Sequence, residues 1–257
     1  MSNDLGIDRS GNNNSWAVNN MTLAADQMLD SPTNNFATLN PLWIPPTYAA
    51  NATGTVSEGN LHMEIEQDGG YWKNLPATMA STVGTNTGSY FEVLWTEKEG
   101  ANSLFSVWAG NDFANGSEGT GVFVKYTEAG NITGFPGRGN LDTSPDAIAQ
   151  GDIVGCAIDD TNVKFYLNNV LQATETHGVF ASYSPAYGDN GHIFGGVMVY
   201  DNGHDSQATV NFGQDSSFAG NKTAQGNQDS NDIGDFYYTP PTDFLALCTS
   251  NLPAVAV

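Results

Sequence analysis

Acidic side chains at short intervals are the first residues in this chain whose spacing suits chemistry. Glu64 and Glu66 alternate with Met63 and Ile65 in a strand-like run, which puts both carboxylates on one face about 7 Å apart by strand rise. That separation falls in the general range of glycosidase carboxylate pairs. Glu66-Gln67-Asp68 would open an E-x-D-x-x-E acid series, but Tyr71 stands where the last acid belongs. The pair therefore reads as the solvated face of a half-buried strand, and no catalytic residue is assigned. There is no G-x-S-x-G nucleophile elbow, and Cys156 lies in an apolar run too buried for a good nucleophile.

Metal chemistry has two candidate stretches. Asp189-Asn190-Gly191-His192 and Asp201-Asn202-Gly203-His204 repeat one tetrapeptide. The apolar run Ile193–Tyr200 between them would hold the two histidines roughly 26 Å apart at strand rise, so they read as turns at opposite ends of one strand. The other histidines, His62 and His177, stand alone. The second stretch is Asp229-Ser230-Asn231-Asp232-Ile233-Gly234-Asp235, with oxygen-bearing side chains ahead of a glycine as in calcium loops. It lacks a downstream bidentate Glu, so an acidic turn without metal is the plainer reading. The expectation is no cofactor, with calcium on Asp229, Asn231, Asp232 and Asp235 as the one metal candidate.

Binding candidates are aromatic. Tyr71 and Trp72 follow Asp68-Gly69-Gly70, and Trp43 sits among prolines; aromatics at loops stack on sugars or fill a partner's pocket. Phe236, Tyr237 and Tyr238 before Pro240-Pro241 read as packing or interface.

The elements that must position these groups are strands. The chain has 257 residues with 29 Gly, 13 Phe, 10 Tyr and 5 Trp, and only 14% of residues are charged, a composition of many turns and a large apolar interior. Leu61–Ile65, Pro76–Val83, Ser89–Glu97, Ser103–Ala109, Gly121–Thr127, Val170–Ala173, Ile193–Tyr200 and Gln207–Phe212 are strand runs, with Phe91, Val93 and Trp95 inward. Gly110–Gly119 is a loop. Gly130–Ala149 reads as a long connection with a helical turn after Ser144-Pro145. At the centre stands Gly151–Asn169, a hairpin. Its first arm, Asp152–Ile158, is apolar on both faces, as in a strand with no wet side. The turn Asp159-Asp160-Thr161-Asn162 follows. In the second arm Val163, Phe165 and Leu167 face inward while Lys164, Tyr166 and Asn168 face out, and Asn168-Asn169 makes another tight turn. About ten strands and no long helix predict an all-β, two-sheet antiparallel sandwich.

Charge narrows the partners. With 7 Lys+Arg against 28 Asp+Glu, the net charge of −21 repels nucleic acid and anionic membrane surfaces. No run of about 20 apolar residues and no signal-peptide pattern is visible. Two cysteines, Cys156 and Cys248, make no disulfide framework. Residues 1–40 read as an Asn-rich extended arm with apolar anchors Trp16, Val18 and Leu23; 41–218 as the sandwich; 219–257 as an irregular segment that packs back on it.

Three segments together resemble the SPRY domain, a bent sandwich related to concanavalin-like jelly rolls: SYFEVLWT (Ser89–Thr96), GDIVGCAIDDTNVKFYLNNVLQ (Gly151–Gln172) and QATVNFGQDSSF (Gln207–Phe218). Asn169 stands where that family has Gly. The leader DRSGNNNSWAVNNMTL and the ending GDFYYTPPTDFLALCTSNLP resemble the ends of virion-associated SPRY proteins of tailed, chiefly marine, bacteriophages, in which a laminin-G-like domain precedes the leader; here Met1 stands near that junction. The resemblance implies a non-enzymatic virion protein, of capsid decoration or tail fibre, made in the host cytoplasm. Its implied partners are other virion proteins and a host-surface glycan or protein, with a homo-oligomer as one arrangement. A lectin-like carbohydrate-binding module is the alternative, and a glycan-degrading enzyme stands third.

Overall fold

A computed structural model describes residues 6–8, 10–19, 29–31, 33–42, 54–65, 72–82, 88–98, 103–110, 123–135, 139–159, 161–176, 192–200 and 205–252. The strands among them are β1 (Gly54–Ser57), β2 (His62–Ile65), β3 (Trp72–Pro76), β4 (Ser81–Thr82), β5 (Gly88–Lys98), β6 (Leu104–Gly110), β7 (Phe123–Thr127), β8 (Ile132–Phe135), β9 (Gly139–Asp142), β10 (Ile153–Ile158), β11 (Asn162–Leu167), β12 (Val170–Thr176), β13 (His192–Tyr200), β14 (Ser206–Asn211) and β15 (Phe244–Ala246). They form two sheets. The first runs β1-β2-β14-β5-β10-β11-β12, with β15 added to β5; the second runs β3-β13-β6-β7-β8-β9, with β4 added to β13. All pairings are antiparallel except β15 on β5. The chain is a two-sheet antiparallel β-sandwich. Among the described residues no helix is long and apolar enough to cross a membrane.

The alternation in sequence explains the interior. Phe91, Val93 and Trp95 of β5 and Val163, Phe165 and Leu167 of β11 all enter the inter-sheet core. Trp95 stacks on Phe105 of the facing sheet at 5.2 Å and 10°, and Tyr126 meets Phe165 at 6.0 Å. At the β11–β12 turn, Asn168 and Asn169 both take positive φ, 47° and 70°, as a two-residue hairpin turn requires.

Two expectations are corrected. The Gly130–Ala149 connection contains β8 and β9, and 143–150 holds no helical turn. Four-residue strands with Gly134 and Gly139 are too short to display a period. The Pro76–Val83 run is not one strand either: β3 ends at Pro76, Ala77 makes an isolated bridge to Leu39, and Ser81–Thr82 pairs again as β4.

The double-sided apolarity of β10 has a structural cause. Val154, Cys156 and Ile158 face the inter-sheet core. On the other face Ile153 and Ala157, with Tyr90 and Leu94 of β5, are covered by a third, irregular layer from the C-terminal stretch, through Phe218, Phe236, Phe244 and Ala246. Each such phenylalanine contributes about 1.5–3 kcal/mol by leaving water. β15 enters the sheet here, running parallel to the start of β5 (Phe244 opposite Gly88, Ala246 opposite Tyr90) where β14 has ended opposite Glu92.

The end of the arm also belongs to this body. Phe36 bridges to Cys248 and Leu39 to Ala77; Ala37 N–H donates to the Leu247 carbonyl at 2.8 Å and Asn40 N–H to that of Pro76 at 2.9 Å. Phe36, Ala37 and Leu39 are 4%, 0% and 0% exposed. This strap ties the third layer to the second sheet.

Candidate functional site

The registers sort the strand ends between two rims. Gly88 and Ile158 lie at one, with Asn162 and Thr176 beside them. In the second sheet His192 opposes Thr82, and Ala80 and Ser81 lie next to Gly88 and Ser89, so the start of β13 lies at the same rim. Gly110 and Phe123 follow it there. The ends of β13 and β5, Tyr200 and Lys98, mark the opposite rim.

At the first rim lies a cleft of about 340 Å³, lined by Gly88, Asp159, Thr161, Lys164, Thr242, Asp243 and Phe244. Its floor is the β10–β11 turn. Asp159 is an acid before a tight turn, and its Oδ1 accepts the N–H groups of Thr161 (2.8 Å) and Asn162 (2.7 Å) and the Thr161 hydroxyl (3.1 Å), as Asx turns do. Its Oδ2 receives Lys164 Nζ at 3.1 Å. Although partial burial pushes the Asp159 carboxyl up, hydrogen bonds from Thr161, Lys164 and Asn162 outweigh it and hold the group at about 2. Lys164 also lies over the Phe244 ring, 4.7 Å from its centre.

The far wall is the turn Pro241–Phe244, closed by Phe244 N–H on the Pro241 carbonyl at 3.0 Å. Asp243 occupies its third position at φ 70°, the left-handed conformation that a type II turn demands there and that Asp tolerates better than most residues. Gly88 N–H donates to the Asp243 carbonyl at 3.1 Å, fixing the turn to β5. The arrangement offers a fixed ammonium, an exposed carboxylate and hydroxyls: it binds polar groups.

A second polar constellation lies beneath the third layer and is structural. Glu92 is fully buried on the outer face of β5. Its carboxylate accepts the backbone N–H groups of Tyr237 (2.9 Å) and Tyr238 (2.8 Å), the Tyr90 hydroxyl (3.3 Å) and the Asn211 amide (3.3 Å). Burial pushes its carboxyl up to about 7 against the pull of these donors. Gly155 makes room for the network: a Cβ there would stand 2.6 Å from the Tyr90 hydroxyl oxygen.

Of the aromatic candidates, one falls among the described residues. Trp72 opens β3 opposite Tyr200, at the other rim; Trp43 and Tyr71 lie outside the described residues. The acidic run near the C-terminus serves the backbone. Asp229 Oδ1 accepts from Asn231 and Ile233 N–H, and Oδ2 from Ala246 N–H and the Asn251 amide, at 2.8–3.0 Å. Asp232 is an exposed turn residue at φ 59°. Asp235 is buried and accepts Gly226 N–H at 3.2 Å, and burial raises its carboxyl. Asn231 turns its amide to Asn251. Among the described residues no group of three or more His, Cys, Asp and Glu side chains could hold a metal ion. Glu64 accepts from Gln207 at 3.0 Å, while its proposed mate Glu66 lies outside the described residues. His62 meets the Thr209 hydroxyl at 2.8 Å; His192 opens β13; His177 and His204 are outside the description.

Sequence reasoning recognised the 159–162 turn and outward Lys164 but assigned them no role, and it passed over Thr242 and Asp243. The Pro-Pro-Thr-Asp string ahead of an apolar run was a turn signal that could have marked them.

No family model matches the chain, and no curated protein matches it. Among solved structures, the SPRY domain of human HERC1 is similar at 16% identity and a TM-score of 0.45, over 61% of this chain and 91% of that one. A human SPRY domain follows at 13% and 0.44, over 61% and 93%. The carbohydrate-binding module CBM66 from Bacillus subtilis is similar at 10% and 0.38, over 62% and 88%.

Proposed function

We propose that the chain is a non-enzymatic recognition protein of a phage virion, a rigid three-layer body that is tethered through its N-terminal segment and offers its loop rim to a host surface or a neighbouring protein. One observation carries the tether. Residues 6–8 and 10–19 fold on themselves: Trp16 N–H donates to the Gly6 carbonyl, and Asp8 accepts the N–H groups of Ser10 and Asn14. This small loop leaves Ile7, Trp16 and Val18 at 54%, 75% and 38% exposure. An aromatic with two aliphatic neighbours on a preorganised loop is the kind of anchor that fills a partner's pocket. The likeness of both chain ends to virion proteins supports the virion setting.

The test removes residues 1–28 and keeps the strap. The truncated chain should melt where the full chain does yet be missing from purified particles. Truncated chain found in particles at the full-length ratio would overturn the tether.

A further inference from the structure

Resting on the recognition reading of this rim, the geometry points to the cleft between the β10–β11 turn and the Pro241–Phe244 turn as a subsite for one neutral sugar residue, held through Lys164, Thr242 and Asp243. Three observations converge. The first is complementarity. The exposed Asp243 carboxylate only accepts, Lys164 Nζ only donates, and Thr242 does both. A hydroxyl that donates to a carboxylate while accepting from an ammonium makes two charge-assisted, mutually polarising hydrogen bonds. Adjacent hydroxyls of a sugar ring present that pattern repeatedly.

The second is charge. The cleft holds two carboxylates and one ammonium, in a chain of net charge −21. Phosphates and acidic sugars are repelled by this field. Cations meet Lys164 on the floor, where both oxygens of Asp159 already have donors. A neutral polyol avoids both penalties. The third is size and rigidity. A space of about 340 Å³ is at the small end of ligand sites. Lys164 is fixed by Asp159 and the Phe244 ring, and the Asp243 backbone by its turn, so the order lost on binding is confined to the Asp243 and Thr242 side chains.

The experiment titrates the full chain, labelled with ¹⁵N, with glucose, galactose, mannose and N-acetylglucosamine, and with lysine amide as a cationic probe. At least one sugar should give saturable shifts at the amides of Thr161, Lys164, Asp243 and Phe244, with a Kd of about 1–10 mM, equal at low and high salt because the ligand is uncharged. Asp243→Gly suits the left-handed backbone, so it should keep the melting temperature and weaken binding about 10-fold or more. The assignment falls if none of the four sugars gives saturable shifts, if Asp243→Gly binds equally well, or if lysine amide alone shifts these amides in a salt-sensitive way. Those results would leave the parent reading standing, because the 1–28 truncation tests the tether without any sugar.

Discussion

Glu92 makes a quantitative prediction. The folded chain holds its carboxyl at about 7, against an ordinary value of 4.5. Between those pH values the folded protein keeps a proton that the unfolded chain has released, so stability falls as pH rises from 4.5 to 7 and then levels. The displacement corresponds to about 3 kcal/mol in all, or roughly 5–12 °C in melting temperature for a chain of this size. Other groups titrate in the window. Burial raises the Glu128 and Asp235 carboxyls, which act in the same direction, and lowers the His62 imidazole, which opposes. Glu92→Gln removes only the first contribution. Its amide NH₂ must face one of the donors now aimed at the carboxylate, so the variant should be less stable than the parent at pH 5 by about 1–3 kcal/mol. By pH 8 that gap should close or reverse. Urea titrations of both proteins at pH 5, 6, 7 and 8, followed by tryptophan fluorescence, measure the difference. Parallel stability curves would refute the claim that Glu92 is protonated in the fold near neutral pH.

Other expectations follow from the same packing. Gly155→Ala should cost about 1–3 kcal/mol, read as a lower urea midpoint, because the new methyl meets the Tyr90 hydroxyl inside a closed layer. Phe236→Ala, at a residue with no exposed surface, should cost about 3–5 kcal/mol and raise binding of a hydrophobic dye as the third layer loosens. Chelating calcium should leave the melting temperature unchanged, since Asp229 has protein donors on both oxygens; a drop on chelation would show that the run coordinates metal after all. Extending the truncation from residue 28 to residue 40 should destabilise the body by several kcal/mol in urea titration, because it removes buried Phe36 and Leu39.

Much of the sandwich was legible because strand alternation is a local signal. Phe91, Val93 and Trp95, and Val163, Phe165 and Leu167, face inward as their spacing dictates. The third layer was legible only in outline. Asp152–Ile158 showed that something covers both faces, and the aromatic tail showed that it packs back. That the tail supplies the cover, adds a parallel strand and donates two N–H groups to Glu92 depends on contacts distant in sequence, the last of them across 145 and 146 positions, which no periodicity encodes. Glu92 itself looks like an ordinary polar residue in an alternating strand. The aromatic reading of the site placed weight on side-chain type, whereas the cleft depends on two turns far apart in sequence. The acidic run Asp229–Asp235 was ambiguous for a related reason: the oxygens that make a calcium loop also make Asx turns.

The strap carries a consequence for biosynthesis. Asn35 donates to Thr249 across 214 positions, and the neighbouring Ala37 waits for Leu247. At ordinary translation speeds that interval is some 10–40 s, during which Phe36, which bridges to Cys248, leaves the ribosome without its eventual cover. The strap therefore docks only once residues 247–249 have been made, and until then its apolar side chains need another cover. Stalled or nonsense-truncated products that end before residue 244 should collect in inclusion bodies.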